Sequence, residues 1–234
     1  MNNFSFSNLS ETSFTNDAPL YLKPYDIYKV TLNKIEKTTI KGKNDIVYNI
    51  VAIEFQGCEN KGVFNANLFV PTKDEDFERR NNSTSGAQYP SAFEQFQYTL
   101  MQMVQVINPT GAQKIIANSD KIKTIDQFID LVVKALTNKT DVEVYLKLVG
   151  RKGANGVYYA ALPNACVLGR DATPQTKPSA LNFISSDESK LQFSNYEMTE
   201  MNKYKTAKPT NMEEVEKNNP DEATGDIDIN DLDV

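Results

Sequence analysis

Histidine and tryptophan are both absent from the 234 residues, and cysteine occurs only at Cys58 and Cys166. Without histidine the commonest general base and the commonest metal-binding nitrogen are missing, and two cysteines cannot close a zinc site of the usual Cys/His kinds within one chain. Two thiols this far apart in sequence read as reduced cysteines rather than as a disulfide framework. No window approaches the ~18 consecutive apolar residues of a membrane-spanning helix. The opening stretch MNNFSFSNLSETSFTND has neither the basic nor the apolar region of a secretory signal. The chain is therefore expected to stay in the cytoplasm, with sequons such as those at Asn8, Asn82 and Asn138 unmodified. These absences weigh against catalysis. They lead to the expectation of a non-enzyme with no catalytic residue, metal ligand or cofactor.

What is present is a division of charge. The net charge is −6, yet residues 21–170 hold 19 Lys+Arg against 15 Asp+Glu, whereas residues 171–234 hold 6 against 14. A mildly basic body carries an acidic tail, and the low isoelectric point describes the tail. The boundaries follow composition. Residues 1–20, rich in Asn, Ser and Thr, read as an N-terminal arm whose Phe4 and Phe6 are able to dock on a neighbouring subunit. Residues 21–170 form the body, 171–211 a Thr/Pro/Lys/Ser linker, and 212–234 an acidic tail too polar to fold alone.

Within the body, Asp141 to Pro163 has the clearest pattern. Val142, Val144, Leu146 and Leu148 alternate with Glu143, Tyr145, Lys147 and Val149, the two-residue period of a strand with one buried face. Arg151 to Gly156 contains two glycines and an asparagine and reverses the chain, and Val157 to Leu162 returns. An earlier hairpin pairs the Tyr28–Asn33 alternation with Ile46–Phe55 across the Lys41–Asp45 turn. Both parities of Ile46–Phe55 are apolar, which suits a central or strongly bent strand. Val63 to Val70 is a third strand, with Phe64, Ala66, Leu68 and Val70 opposite Asn65, Asn67 and Phe69, and Pro71 ends it.

Thr72 to Tyr89 reads as a mobile surface loop, in which Asp74, Glu75 and Asp76 are solvated acids before they are metal ligands. Ser91 with Glu94 and Thr124 with Gln127 are capping boxes opening two helices. The first stripe is Phe93, Phe96, Leu100, Met103, Val104 and Ile107, stopped by Pro109; core packing explains its Met101/Met103 pair better than a partner groove does. The second stripe is Ile125, Phe128, Leu131, Val132, Ala135 and Leu136. Ala165 to Leu168 supplies a short closing strand. The expected fold is thus mainly β with a helical insertion: a five-stranded antiparallel barrel of the oligonucleotide-binding (OB) kind, with two helices between strands three and four. A β-sandwich with helical decoration is the alternative.

This layout, a body from Tyr21 to Gly169, a polar linker and an acidic end reading DIDINDLDV, resembles the single-stranded DNA-binding proteins of bacteriophages and bacteria. The resemblance covers about two-thirds of the chain plus its end. It departs at the tip, which is Leu232-Asp233-Val234 where bacterial members carry an aromatic-rich end. What it implies is non-sequence-specific binding of single-stranded DNA in replication or recombination, in the cytoplasm of a bacterial host if the chain is phage-encoded. The implied contacts are Tyr145, Lys147, Arg151, Lys152 and one of Tyr158 or Tyr159, with Phe69, Lys41 and Lys43 as secondary candidates. The tail residues Asp226, Ile227, Asp228, Ile229, Asp231, Leu232, Asp233 and Val234 would compete with DNA and then engage replication or recombination proteins. A homo-oligomer is compatible with this reading. Two other classes stay open: a virion-associated structural protein with arm, loop and tail as assembly contacts, and a nuclease using Asp74 to Asp76.

Overall fold

The structure is a computed structural model and describes residues 20–42, 45–59, 61–81, 88–154, 156–164, 167–170, 191 and 193–206. It combines an open antiparallel sheet with four α-helices. In chain order these are β1 (Asp26–Lys41), β2 (Val47–Gly57), β3 (Val63–Phe69), a two-residue ribbon of β4 (Arg80–Asn81) and β5 (Gln88–Tyr89), α1 (Ala92–Ile107), α2 (Pro109–Ala117), α3 (Ile125–Leu136), β6 (Glu143–Lys152), β7 (Tyr158–Ala161), β8 (Leu168–Gly169) and α4 (Asn195–Thr206).

The main sheet runs β3-β2-β1-β6-β7, with β8 also on β6. β1, β2 and β3 are consecutive antiparallel neighbours, and β6 returns through the long helical connection to lie beside β1, which is Greek-key order. β1 lies between β2 and β6, and its register with β2 slips between Leu32 and Lys34. Asp26–Thr31 pairs with β6 on one edge and Val30–Lys41 with β2 on the other, and the irregularity is of the kind that bends a strand. Among the described residues the outer edge of β3 meets only the lead-in to β1. There the Leu22 amide donates to the Val63 carbonyl at 3.1 Å and the Val63 amide to the Leu20 carbonyl at 2.6 Å. No pairing of β3 with β7 or β8 occurs in that set, so the sheet is open where a closed barrel was expected.

Strand parity decides the core. Val30 and Leu32 of β1, Val51, Ile53 and Phe55 of β2, Phe64 of β3, Val144, Leu146 and Leu148 of β6 and Leu168 of β8 are buried together. Against them pack Phe96, Leu100, Met103, Val104 and Ile107 of α1 and Phe128, Ile129, Val132 and Leu136 of α3. Each such side chain contributes ~1.5–3 kcal/mol relative to exposure. The inner strand β2 is buried on both faces at one point: Val51 lies in this core while Ile50, of opposite parity, is also buried. Between α1 and β8, the buried Gln102 carboxamide oxygen accepts from the Val167 amide at 2.6 Å and the Leu168 amide at 3.3 Å, pinning the short strand.

Several local expectations change. Pro109 does not end the helical region. It is the first residue of α2, where a missing N–H costs nothing, and Asn108 caps both helices, so three helices rather than two separate β3 from β6. On α3 the buried stripe uses Ile129, and Leu131 is exposed. In the acidic part of the Thr72–Tyr89 loop, the Asp76 carboxylate accepts from the Thr72 and Lys73 amides at 2.9 Å, and Phe77 stacks on Phe93 at 5.1 Å, while residues 82–87 lie outside the described residues. Arg79 grips Glu94 with two nitrogens, tying the loop to the α1 capping box. The stretch expected as linker carries α4, with Leu191 and Met201 buried. No helix of the described residues is long and apolar enough to cross a membrane.

Candidate nucleic-acid interface

With α1 and α3 on one face, the opposite face of the sheet is available, and register names its residues. Side chains directly opposite across an antiparallel pair share a face. Tyr145 faces Lys29, Lys147 faces Ile27, Thr31 faces Gln56, and Ile50 faces Phe69, all on the parity opposite the core. At the β1–β2 end, Tyr48 and Phe69 are exposed with ring centroids 5.6 Å apart and an interplanar angle of 89°. Gly42 makes this possible: a Cβ there would lie 2.6 Å from the Tyr48 ring. Ile46 and Val47 are also exposed at this tip. The Lys41 ammonium is 3.5 Å from the Asp45 carboxylate, with three-quarters of its side chain open to solvent (74%).

At the other end of β1, the β6–β7 hairpin sets Arg151 opposite Tyr159 and Lys152 opposite Tyr158. Its tip closes through the Gly153 amide on the Val157 carbonyl at 2.8 Å and Gly156 at φ 81°, a left-handed conformation suited to glycine. Arg151, Lys152 and Tyr159 are exposed. Tyr145 lies between the two ends, half-buried, beside an ion pair of Lys29 with Glu143.

Lys147 is placed differently from a surface phosphate contact. Only 3% of it is exposed, its ammonium lies 3.1 Å from both oxygens of Glu197 on α4, and it sits 5.5 Å from the centroid of Phe193. The cause is α4, whose N-terminus carries its own capping box: Ser194 Oγ accepts from the Glu197 amide at 3.2 Å, and Glu197 accepts from the Ser194 amide at 2.6 Å. The Ser194-x-x-Glu197 spacing was the sequence signal for this helix, hidden inside a stretch of linker composition.

A second residue not anticipated from sequence is Tyr25. Its φ of 60° is unusual for a bulky side chain. Its hydroxyl donates to the Gly150 carbonyl at 3.2 Å, and its ring lies 6.3 Å from Tyr158 and 5.5 Å from Tyr204 of α4. Burial first, then the nearby Glu200 and Tyr158, push the Tyr25 phenol up to about 12. Gly150 permits this approach, since a Cβ there would stand 2.3 Å from the Tyr25 ring.

The structure thus sets Arg151, Lys152, Tyr158 and Tyr159 on one hairpin end and Phe69 with Tyr48 at the other, leaves Lys41 on the helix-side parity of β1, and buries Lys147 under α4. Lys43 and the tail residues Asp226 to Val234 lie outside the described residues. Among the described residues no three of His, Cys, Asp and Glu converge to hold a metal. No protein-family model, curated protein or solved structure matches this chain.

Proposed function

We propose that the chain binds single-stranded DNA without sequence preference along the face of the sheet turned away from α1 and α3. The observation that carries this is that the face away from the core holds exposed aromatic rings on fixed strands at both ends of the sheet, Tyr48 packed on Phe69 at one and Tyr159 directly opposite the cation Arg151 at the other. Rings offer stacking platforms that every base can use, and basic groups follow the phosphates. The Greek-key order, with helices inserted between the third and fourth main strands, is compatible with an OB barrel left open between β3 and the β7/β8 edge. In this reading the protein is phage-encoded and serves replication or recombination. Its acidic tail, opposite in sign to the body, competes with DNA and, once displaced, presents Ile227, Ile229, Leu232 and Val234 to a partner protein.

Fluorescence polarisation of labelled oligo-dT and of duplex DNA over a salt series tests the proposal. Strong preference for the single strand and a steep loss of affinity with salt are expected. Tyr48→Ala and Phe69→Ala should each weaken binding by ~1–3 kcal/mol. A protein that ignores oligo-dT yet forms discrete assemblies would instead be an assembly component using the exposed Ile46 and Val47.

A further inference from the structure

The α4 helix meets the body at groups suited to a single strand. We propose that Lys147 and the Tyr25–Tyr158 pair are two contacts for a single strand, and that α4 occupies both in the unbound protein, Glu197 standing in for a phosphate and, seven residues on, Tyr204 for a base. The inference rests on the single-strand reading above and extends it to regulation of the same interface.

The electrostatic half begins with Lys147. A buried ammonium requires an anionic partner, and Glu197 supplies one through two oxygens at 3.1 Å. A phosphate group offers the same charge-assisted contacts. When α4 departs, Glu197 remains satisfied by the Ser194 amide, which it accepts within its own capping box. An incoming phosphate can then take the place of Glu197 beside the Lys147 ammonium.

The aromatic half lies at the hairpin end. The Tyr204 centroid is 5.5 Å from that of Tyr25 and 5.4 Å from that of Tyr158, so one ring packs against two others. β1 begins at Asp26, opposite Leu148, so the last residues of β6 extend past it, and Tyr25 occupies that end of the hairpin. Two features hold the Tyr25 ring there independently of α4: the hydroxyl bond to Gly150 and the absence of a side chain at Gly150. A left-handed tyrosine kept in this position fits a ring set in advance for a ligand.

The helix itself is lightly attached. Met201 is its only buried residue, and its other residues are half-buried or exposed. Its departure gives up the Met201 burial, the Tyr204 ring contacts and the Glu197 ion pair, which a strand that brings its own bases and charges replaces in kind.

The test uses the full chain. Tyr204→Trp introduces one indole into a protein that has no tryptophan, reporting on α4 alone. Saturating oligo-dT is expected to shift its emission to the red as α4 leaves. Glu197→Ala is expected to bind oligo-dT about tenfold tighter by removing the competitor. Adding Tyr158→Leu to Glu197→Ala should reverse that gain by about five-fold or more, as loss of a stacking platform does. Tight binding of oligo-dT with unmoved emission and an unchanged Glu197→Ala affinity would overturn the α4 proposal and leave the single-strand reading standing. Absence of oligo-dT binding by every variant at low salt would remove both.

Discussion

Gly150 is the residue on which the hairpin end depends most directly. Its missing side chain admits the Tyr25 ring, and a methyl group there would stand 2.3 Å from a ring carbon. Gly150→Ala is therefore an overpacking change that displaces Tyr25 and breaks its bond to the Gly150 carbonyl. A loss of ~1–3 kcal/mol is expected, visible in thermal unfolding as a lowered Tm. Glu94 carries a different prediction. The bidentate Arg79 guanidinium, and then the Ser91 amide, hold its carboxyl down to about 2 from an ordinary 4.5. A depressed folded-state value means that the carboxylate stabilises the fold above its unfolded-state value, and that this is lost as pH falls through the folded one. The Tm gap between the wild type and Glu94→Gln should be full at about pH 7 and close between about pH 5 and about pH 2.

At the scale of elements, the junction between α1 and α2 rests on one asparagine. Asn108 Oδ1 accepts from the Gly111 amide at 3.0 Å, capping α2, while its Nδ2 donates to the Ala135 carbonyl of α3 at 2.8 Å. Asn108→Ala removes the cap and the tie to α3, and a cost of ~1–2 kcal/mol is expected, measurable as a lower denaturant midpoint with unchanged slope. The existence of α1 and α3 was legible because Ser91 and Thr124 open stripes of helical period. α2 was not legible. A proline after an apolar stripe reads as a stop unless the next residues are known to restart on the same asparagine. α4 escaped for a related reason: its capping box is local, but its amphipathic signal is weak because it buries only Met201.

At the scale of the molecule, charge separation becomes a measurable property. The body is mildly basic and residues 171–234 are acidic, so the two attract most at low ionic strength. Deleting Met212 to Val234 should tighten binding to oligo-dT at low salt, with the difference fading as salt rises; unchanged affinity at low salt would argue against competition by the tail. Many body cations are already matched: Lys29 with Glu143, Lys34 with Glu36, Lys37 with Asp126 and Lys147 with Glu197. The number of cations therefore overstates what the sheet face itself offers to phosphates. The β6–β7 hairpin end, with Arg151 and Lys152, is where the salt dependence should reside, since Lys41 also has an acid, Asp45, beside it.

Alternation along β1, β3 and β6 determined which side chains face the core, because strand parity is a local property with a period of two. That is why Phe69 and Tyr145 could be assigned to the face opposite the core in advance. Parity could not reveal that Lys147, on the same face, is buried, since the cover comes from a helix fifty positions later in the chain. Nor could any local pattern bring Tyr25, Gly150, Tyr158 and Tyr204 together: the Tyr25–Gly150 bond alone spans 125 positions. Those contacts exist only once β6 has returned to β1 and α4 has docked on β6. Tertiary structure therefore decided which half of the sheet face is open and which half is held by the chain itself.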